Sequence, residues 1–244
     1  MNKYNRIIWD DDKISSFWDF EINFKKNEDN WFTNLKGDGI LNYANKYLKF
    51  KNLNILDYGS GKGFLVDKIL NKFKSSKVST SEFSSQGVDV LEAKFNKHNQ
   101  YQKTVWIQEI PCPELKENSF DIVFLTEVIE HLSDTYYDDT FNEIYRILKP
   151  GGKIIVTTPN DENLEKSLTA CPNCNSVFHL MQHIRSFNTE FMKNEMSNFK
   201  FKPLISEGVN FSHYNKNNLT SILKRLKAKF SNQKQPHLIY IGVK

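Results

Sequence analysis

From residue 54 onward, short apolar runs alternate with longer stretches in which apolar residues recur every three or four positions. The short runs cover residues 54–58, 77–81, 104–108, 120–125 and 153–158. Most of them read as near-continuous apolar runs at their centres, as strands covered on both faces do, although 77–81 carries only Val78. Between them, residues 63–73, 85–98 and 134–148 carry the helical period. Strand and helix in strict alternation predict an α/β fold, with a parallel sheet and helices on both faces. The tail breaks the rhythm. A helix is expected over 188–199, with Phe191, Met192, Glu195 and Met196 at helical spacing. A strand follows near 203–211, then an amphipathic stripe of Leu219, Ile222, Leu223 and Leu226, then a last strand at 238–243. A late strand–helix–strand without a crossover pattern predicts an antiparallel hairpin closing one sheet edge. Lys224, Arg225, Lys227 and Lys229 read as a solvated helix face. The first 50 residues are dense in aromatics, including Trp9, Phe17, Trp18, Trp31 and Phe32. They read as helices that cover something, because a free extension has no use for so much apolar area.

Composition bounds this picture. A chain of 244 residues accommodates one sizeable domain. We divide it into an N-terminal helical cap (1–50), a ligand-binding core (51–160), an insert (161–190) and closing elements (191–244). Aromatics at 14% exclude a disordered chain. No apolar run approaches the ~18 residues of a membrane span, and the first residues lack the apolar core of a secretory signal. The expectation is a cytoplasmic protein without a membrane partner. The net charge of +4 is too mild to indicate nucleic acid. Three cysteines, Cys112, Cys171 and Cys174, do not make a disulfide framework, but two of them form a C-x-x-C pair.

The densest signal is the turn Gly59-Ser60-Gly61-Lys62-Gly63, which follows the apolar run ending Asp57-Tyr58 and opens a helical pattern. Glycine is needed where the backbone takes positive φ or approaches a ligand closely. In open α/β sheets, ligands bind at the carboxyl ends of the strands. A phosphate-binding P-loop is excluded because Lys62 is followed by glycine, and a dinucleotide fingerprint is excluded because position 64 is Phe. The remaining G-x-G-x-G form resembles motif I of the class I S-adenosylmethionine (SAM)-dependent methyltransferases. Glu82, Gln108-Glu109, the run Phe120–Leu132 and the run Ile147–Asn160 follow in that family's order. The resemblance implies a Rossmann-like, seven-stranded, mostly parallel sheet with an antiparallel last strand, and SAM as cofactor. It also implies cofactor contacts from Asp57, Gly59, Gly61, Gly63, Glu82, Phe83, Gln108, Glu109 and Thr126.

Glu127, Glu130 and His131 fall at i, i+3 and i+4, so on a helical turn they converge. Three readings stay open: His131 as a base oriented by a carboxylate, a divalent cation held by all three, or a cap with a packed histidine. Glu-Val-Ile-Glu-His is similar to the metal-binding run of small-RNA 3′-end 2′-O-methyltransferases and of ubiquinone-pathway O-methyltransferases. The insert, Cys171-Pro172-Asn173-Cys174 followed by His179 and His183, resembles that of a bacterial subgroup associated with surface-polysaccharide (capsule) biosynthesis. Two thiolates and two imidazoles suit tetrahedral zinc. A structural zinc site of Cys171, Cys174, His179 and His183 is therefore expected. Trp31-Phe32-Thr33 also resembles that subgroup, and reads either as a lid over SAM or as packing at the sheet edge. The expected function is O-methylation of a small, carbohydrate-linked or phosphate-linked acceptor, a phosphoramidate included. The rivals are a metal-dependent RNA 2′-O-methyltransferase and a non-catalytic SAM-binding protein.

Overall fold

The computed structural model describes residues 4–23, 30–216, 218–229 and 233–244. In chain order the elements are β1 (Asn5–Arg6), α1 (Asp11–Asn23), α2 (Phe32–Ala44), β2 (Asn54–Tyr58), α3 (Phe64–Lys72), β3 (Lys77–Glu82), α4 (Ser85–Phe95) and β4 (Tyr101–Trp106). They continue with β5 (Phe120–Thr126), α5 (Asp134–Ile147), β6 (Leu148–Pro159), β7 (Leu168–Ala170), β8 (Ser176–His179), α6 (Thr189–Asn198), β9 (Lys202–Val209), α7 (Leu219–Lys229) and β10 (His237–Val243). Seven strands form one sheet in the order β4-β3-β2-β5-β6-β10-β9. The first five are parallel, and β10 and β9 close the edge antiparallel.

The two faces are built by alternation along the central strands. Leu56, Val123, Leu125, Ile154, Leu238 and Tyr240 join one core with α5 and α6. Their neighbours Ile55, Ile122, Phe124, Ile155, Ile239 and Ile241 join the other, with α2 and α3. Each such fully buried side chain contributes on the order of 1.5–3 kcal/mol, which is why these strands read as continuous apolar runs. Helices start where a side chain satisfies free N–H groups. Ser84 accepts from Gly87 N–H at the start of α4, Ser133 from Tyr136 N–H at α5, and Asn188 from Glu190 and Phe191 N–H at α6.

Four features differ from the sequence expectation. The third strand ends at Trp106, so Gln108 and Glu109 lie beyond it. The fifth begins at Leu148, directly at the end of α5, and its register with β5 shifts between Phe120 and Ile122. In α7, Lys224 and Lys227 are solvated as expected, but the stripe of Leu219, Ile222, Leu223 and Leu226 is exposed as well. The inward face is instead Ser221 and Arg225, and Arg225 donates to the carbonyl of His213 and lies over Tyr214. A small second sheet, β1-β8-β7, was not legible in sequence: the N-terminal segment pairs with the insert. Among the described residues, no helix is long and apolar enough to cross a membrane.

Candidate active site

A cavity of about 820 Å³ opens at the carboxyl ends of β2, β3 and β5. Its floor at one end is the glycine turn. Gly59, Gly61 and Gly63 all have positive φ (72°, 53° and 71°), a region that costs other L-residues about 1–2 kcal/mol. Gly59 and Ser60 N–H both donate to the Ser81 carbonyl, which ties the turn to β3. A Cβ at Gly61 would come within 2.9 Å of the Trp31 ring, inside the cavity wall. Gly63 does different work. It caps α3, and a Cβ there would meet Phe95 at 2.5 Å.

Glu82, at the end of β3, is buried. Its carboxylate accepts Gly61 N–H at 2.7 Å and Phe83 N–H at 2.8 Å. Burial pushes its pKa up against those bonds. Each carboxylate oxygen can accept more than one hydrogen bond, so acceptor capacity remains for a ligand hydroxyl. Burial, with Glu82 next in importance, raises Asp57 to about 7. Of the residues expected to contact the cofactor, Asp57, Gly59, Gly61, Glu82, Phe83, Gln108 and Thr126 line this cavity. Gly63 and Glu109 do not: one faces the α3–α4 packing, and the other is exposed past the end of β4. A close-approach glycine cradle, a hydrogen-bonded carboxylate at the second strand, and a Thr126 hydroxyl without a partner among the described residues fit a bound nucleoside cofactor such as SAM.

The opposite end is built on residues 127–131. These form turns rather than a helix, with His131 N–H donating to the Val128 carbonyl. Glu127 sits at φ 52°, a strained backbone held by two bonds to Thr157: its N–H donates to the Thr157 carbonyl, and its carboxylate accepts the Thr157 hydroxyl at 2.8 Å. Burial raises Glu127 to about 8. Glu130 is fully buried, neither of its oxygens has a hydrogen bond of good geometry among the described residues, and burial and then Glu127 push it well above the usual carboxylate range. Burial and then His183 push His131 well below the usual imidazole value. Its Nε2 is 4.0 Å from Glu130, and its Nδ1 has no partner among the described residues. The expected neighbours are therefore together, but a neutral Glu130 at that distance does not orient His131 as an anion would.

Helix α1 roofs the cavity. Trp18 packs edge-on against His131 (centroids 4.6 Å apart) and against Trp31. Its indole N–H donates to Gln182, whose amide donates in turn to the His131 carbonyl. Ser133 donates to Asp11 at 2.5 Å and Ser84 donates to Asp19, so α1 is pinned across the opening at its first residue and again two turns on. Sequence reading flagged the aromatic density here, but not the roles of Trp18 or Gln182; for Gln182 the sequence carries no signal.

The expected zinc set is not assembled. Cys171 and Cys174 lie in the turn of the β7–β8 hairpin, where Asn175 N–H donates to the Cys171 carbonyl. His179 ends β8 opposite Leu168, at the other end of that hairpin. At ~3.3 Å per strand residue, the thiols and imidazoles point from opposite ends of the hairpin. Among the described residues, the close polar groups are Glu130-His131-His183 and Glu162-His179-His183, and neither contains a cysteine. His179 and His183 do meet, their rings stacked at 4.5 Å, but across a loop rather than along a helical turn. Glu162, which sequence reading missed, contacts both.

Comparison with known proteins places this geometry. Residues 32–206 match a family described as a methyltransferase domain. Phosphoethanolamine N-methyltransferase 2 of Caenorhabditis elegans is 29% identical over 42% of this chain and 23% of its own length. Malonyl-[acyl-carrier protein] O-methyltransferase 1 of Ilyobacter polytropus is 31% identical over 44% of this chain and 38% of its own. The chain thus spans less than half the length of these two relatives. Among solved structures, Burkholderia thailandensis 1,6-didemethyltoxoflavin-N1-methyltransferase, with S-adenosylhomocysteine bound, superposes with a TM-score of 0.62. It covers 98% of this chain and 92% of its own at 13% identity, and so shows the fold. The chain belongs to the methyltransferase-domain family.

Proposed function

Starting from a methyltransferase domain, we propose that this protein transfers the methyl group of SAM to a hydroxyl on a small, carbohydrate-linked acceptor, a precursor of surface polysaccharide. One observation carries the reading. A single roofed cavity joins the glycine turn and Glu82 at one end to Glu127, Glu130 and His131 at the other. When bound, the cofactor supplies an activated methyl on a sulfonium. The chain's residues do the rest. The turn and Glu82 hold the nucleoside end. Trp18 and Trp31 exclude water from above. The 127–131 turn presents polar atoms without protein partners to the acceptor. Holding the reacting groups in line supplies roughly 7–11 kcal/mol. A hydroxyl acceptor also needs somewhere for its proton to go.

The described lining contains acidic side chains but no lysine or arginine. At the atom that accepts the methyl, that favours a neutral sugar hydroxyl over a phosphate or phosphoramidate oxygen, which would need a cation beside it. Buried, protonated Glu127 and Glu130 suit hydrogen bonding to such a hydroxyl, and the same pair would suit a divalent cation if one entered. An assay for S-adenosylhomocysteine formation against nucleotide sugars, phosphate esters and an RNA pool tests the proposal. Turnover with nucleotide sugars, unaffected by a chelator and cut by His131→Ala at nearly unchanged SAM affinity, is the expected result. Turnover with RNA alone, or none with any pool despite SAM binding, overturns it. Activity lost with chelator and restored by Mg²⁺ or Mn²⁺ would assign the cation instead.

A further inference from the structure

Two histidines stand side by side at the acceptor end, with ring centroids 4.9 Å apart, and their surroundings are opposite. His131 is buried against Trp18 with no charged partner in hydrogen-bond contact. His183 Nδ1 is 2.5 Å from Glu162 Oε2. His183 lines the cavity, whereas Glu162 and His179 lie behind it and do not.

The protonation pattern of this rear group follows from its bonds. Met181 N–H and His183 N–H both point at His179 Nδ1, each at 3.2 Å. Two donors converging on one nitrogen require that it carry a lone pair. The proton of a neutral His179 is therefore on Nε2, which lies 3.4 Å from Glu162 Oε1. That leaves Glu162 Oε1 facing the proton on His179 Nε2. His183 Nδ1 at 2.5 Å from Oε2 and His179 Nε2 at 3.4 Å from Oε1 place a ring nitrogen beside each of its oxygens, an arrangement that suits an ionised carboxylate. An ionised carboxylate accepts only, so His183 Nδ1 must carry a proton. The lone pair then lies on Nε2, the nitrogen not bonded to Glu162, in a ring that lines the cavity. The bond made by one ring nitrogen sets the state of the other.

We propose that Glu162 is a positioning residue that fixes His183 as the Nδ1–H tautomer, with its Nε2 presented to the acceptor hydroxyl as the proton acceptor of methyl transfer. The proposal rests on the reading of residues 127–131 as the acceptor end. As the acceptor oxygen forms its bond to the methyl carbon, the carbon–sulfur bond breaks and its electron pair stays on sulfur. The hydroxyl proton passes to His183 Nε2. The positive charge lost at sulfur thus reappears on the imidazolium, directly against the Glu162 carboxylate. His131, without such a partner, shapes the pocket and does not take the proton.

Histidine tautomers are read directly in long-range ¹H–¹⁵N spectra of ¹⁵N-histidine-labelled full-length protein, with His183→Gln assigning the signal. The expected result is His183 as Nδ1–H in the wild type and a shift towards Nε2–H in Glu162→Ala, whatever the acceptor. His183 as Nε2–H in the wild type overturns the proposal. The second readout is turnover with the nucleotide-sugar pool. Glu162→Gln, which can still accept the Nδ1 proton but lacks charge, should lower kcat roughly 10-fold or more. His183→Gln should lower it about 10²-fold or more, with the SAM dissociation constant unchanged within twofold in both. Unchanged kcat in either variant overturns the proposal. No turnover with any pool, alongside the expected tautomer, removes the assigned acceptor and leaves the positioning of His183 standing.

Discussion

The two ends of the cavity are made in different ways. The cofactor end comes from contiguous stretches at successive strand ends: Asp57 to Gly61 after β2, Glu82 and Phe83 after β3, Thr126 at the end of β5. The acceptor end is collected from across the chain. Trp18 comes from α1, Glu130 and His131 from the turn after β5, and Gln182 and His183 from the loop after β8. The first is held by backbone geometry, through positive-φ glycines and N–H groups on a carboxylate. The second is held by side chains bonded over separations of 51 to 164 residues. Substitutions at the first end should therefore weaken cofactor binding by about an order of magnitude or more, while those at the second should act mainly on turnover.

The largest effect is expected from Gly61→Val. It combines an unfavourable φ with a side chain driven into Trp31, and SAM affinity by titration calorimetry should fall about 10²-fold or more. Glu82→Ala removes a charge-assisted acceptor worth about 1.5–3 kcal/mol per bond. SAM affinity should fall tenfold or more; unchanged binding would mean that the end of β3 is not a cofactor contact. Trp18→Ala removes the roof, its packing on His131 and its bond to Gln182. It should cut kcat roughly tenfold while SAM affinity changes by only a few fold; an equal loss of both would erase the distinction between the two ends.

A subtler effect is pH dependence. Glu127, raised to about 8 from a carboxylate's 4.5, keeps a proton in the folded state that the unfolded chain releases. Its contribution to stability is complete below about 4.5 and is lost as pH rises through 8. The melting temperature of the ligand-free protein should fall by several degrees between pH 6.5 and 8.5, and Glu127→Gln should reduce that fall. The smallest effect belongs to the hairpin turn. Cys171→Ser with Cys174→Ser should leave the melting temperature within about 2 °C, and elemental analysis should find no zinc. Stoichiometric zinc, lost in the double variant, would restore the four-ligand site.

What was legible in the sequence is what depends on local pattern. Strands covered on both faces had to carry apolar centres, and helices between them had to carry a 3.6-residue stripe, so the order of elements and the parallel sheet followed from runs such as 54–58, 120–125 and 153–158. The glycine turn was legible because positive φ at three nearly adjacent positions leaves little choice of residue. The tertiary structure alone decided how distant segments meet. Cys171-x-x-Cys174 and His179-x₃-His183 are compatible with zinc as a spacing, but a β-hairpin between them sends the two pairs to opposite ends. Leu219, Ile222, Leu223 and Leu226 form a helical stripe, yet the helix docks through Ser221 and Arg225. Glu162, one acid among many in a polar loop, gained its place only when the chain after β6 folded back onto His179 and His183. Spacing constrains which residues can share a local turn. Which residues share a cavity is set by the packing of elements far apart in the chain, where each contact depends on all the others.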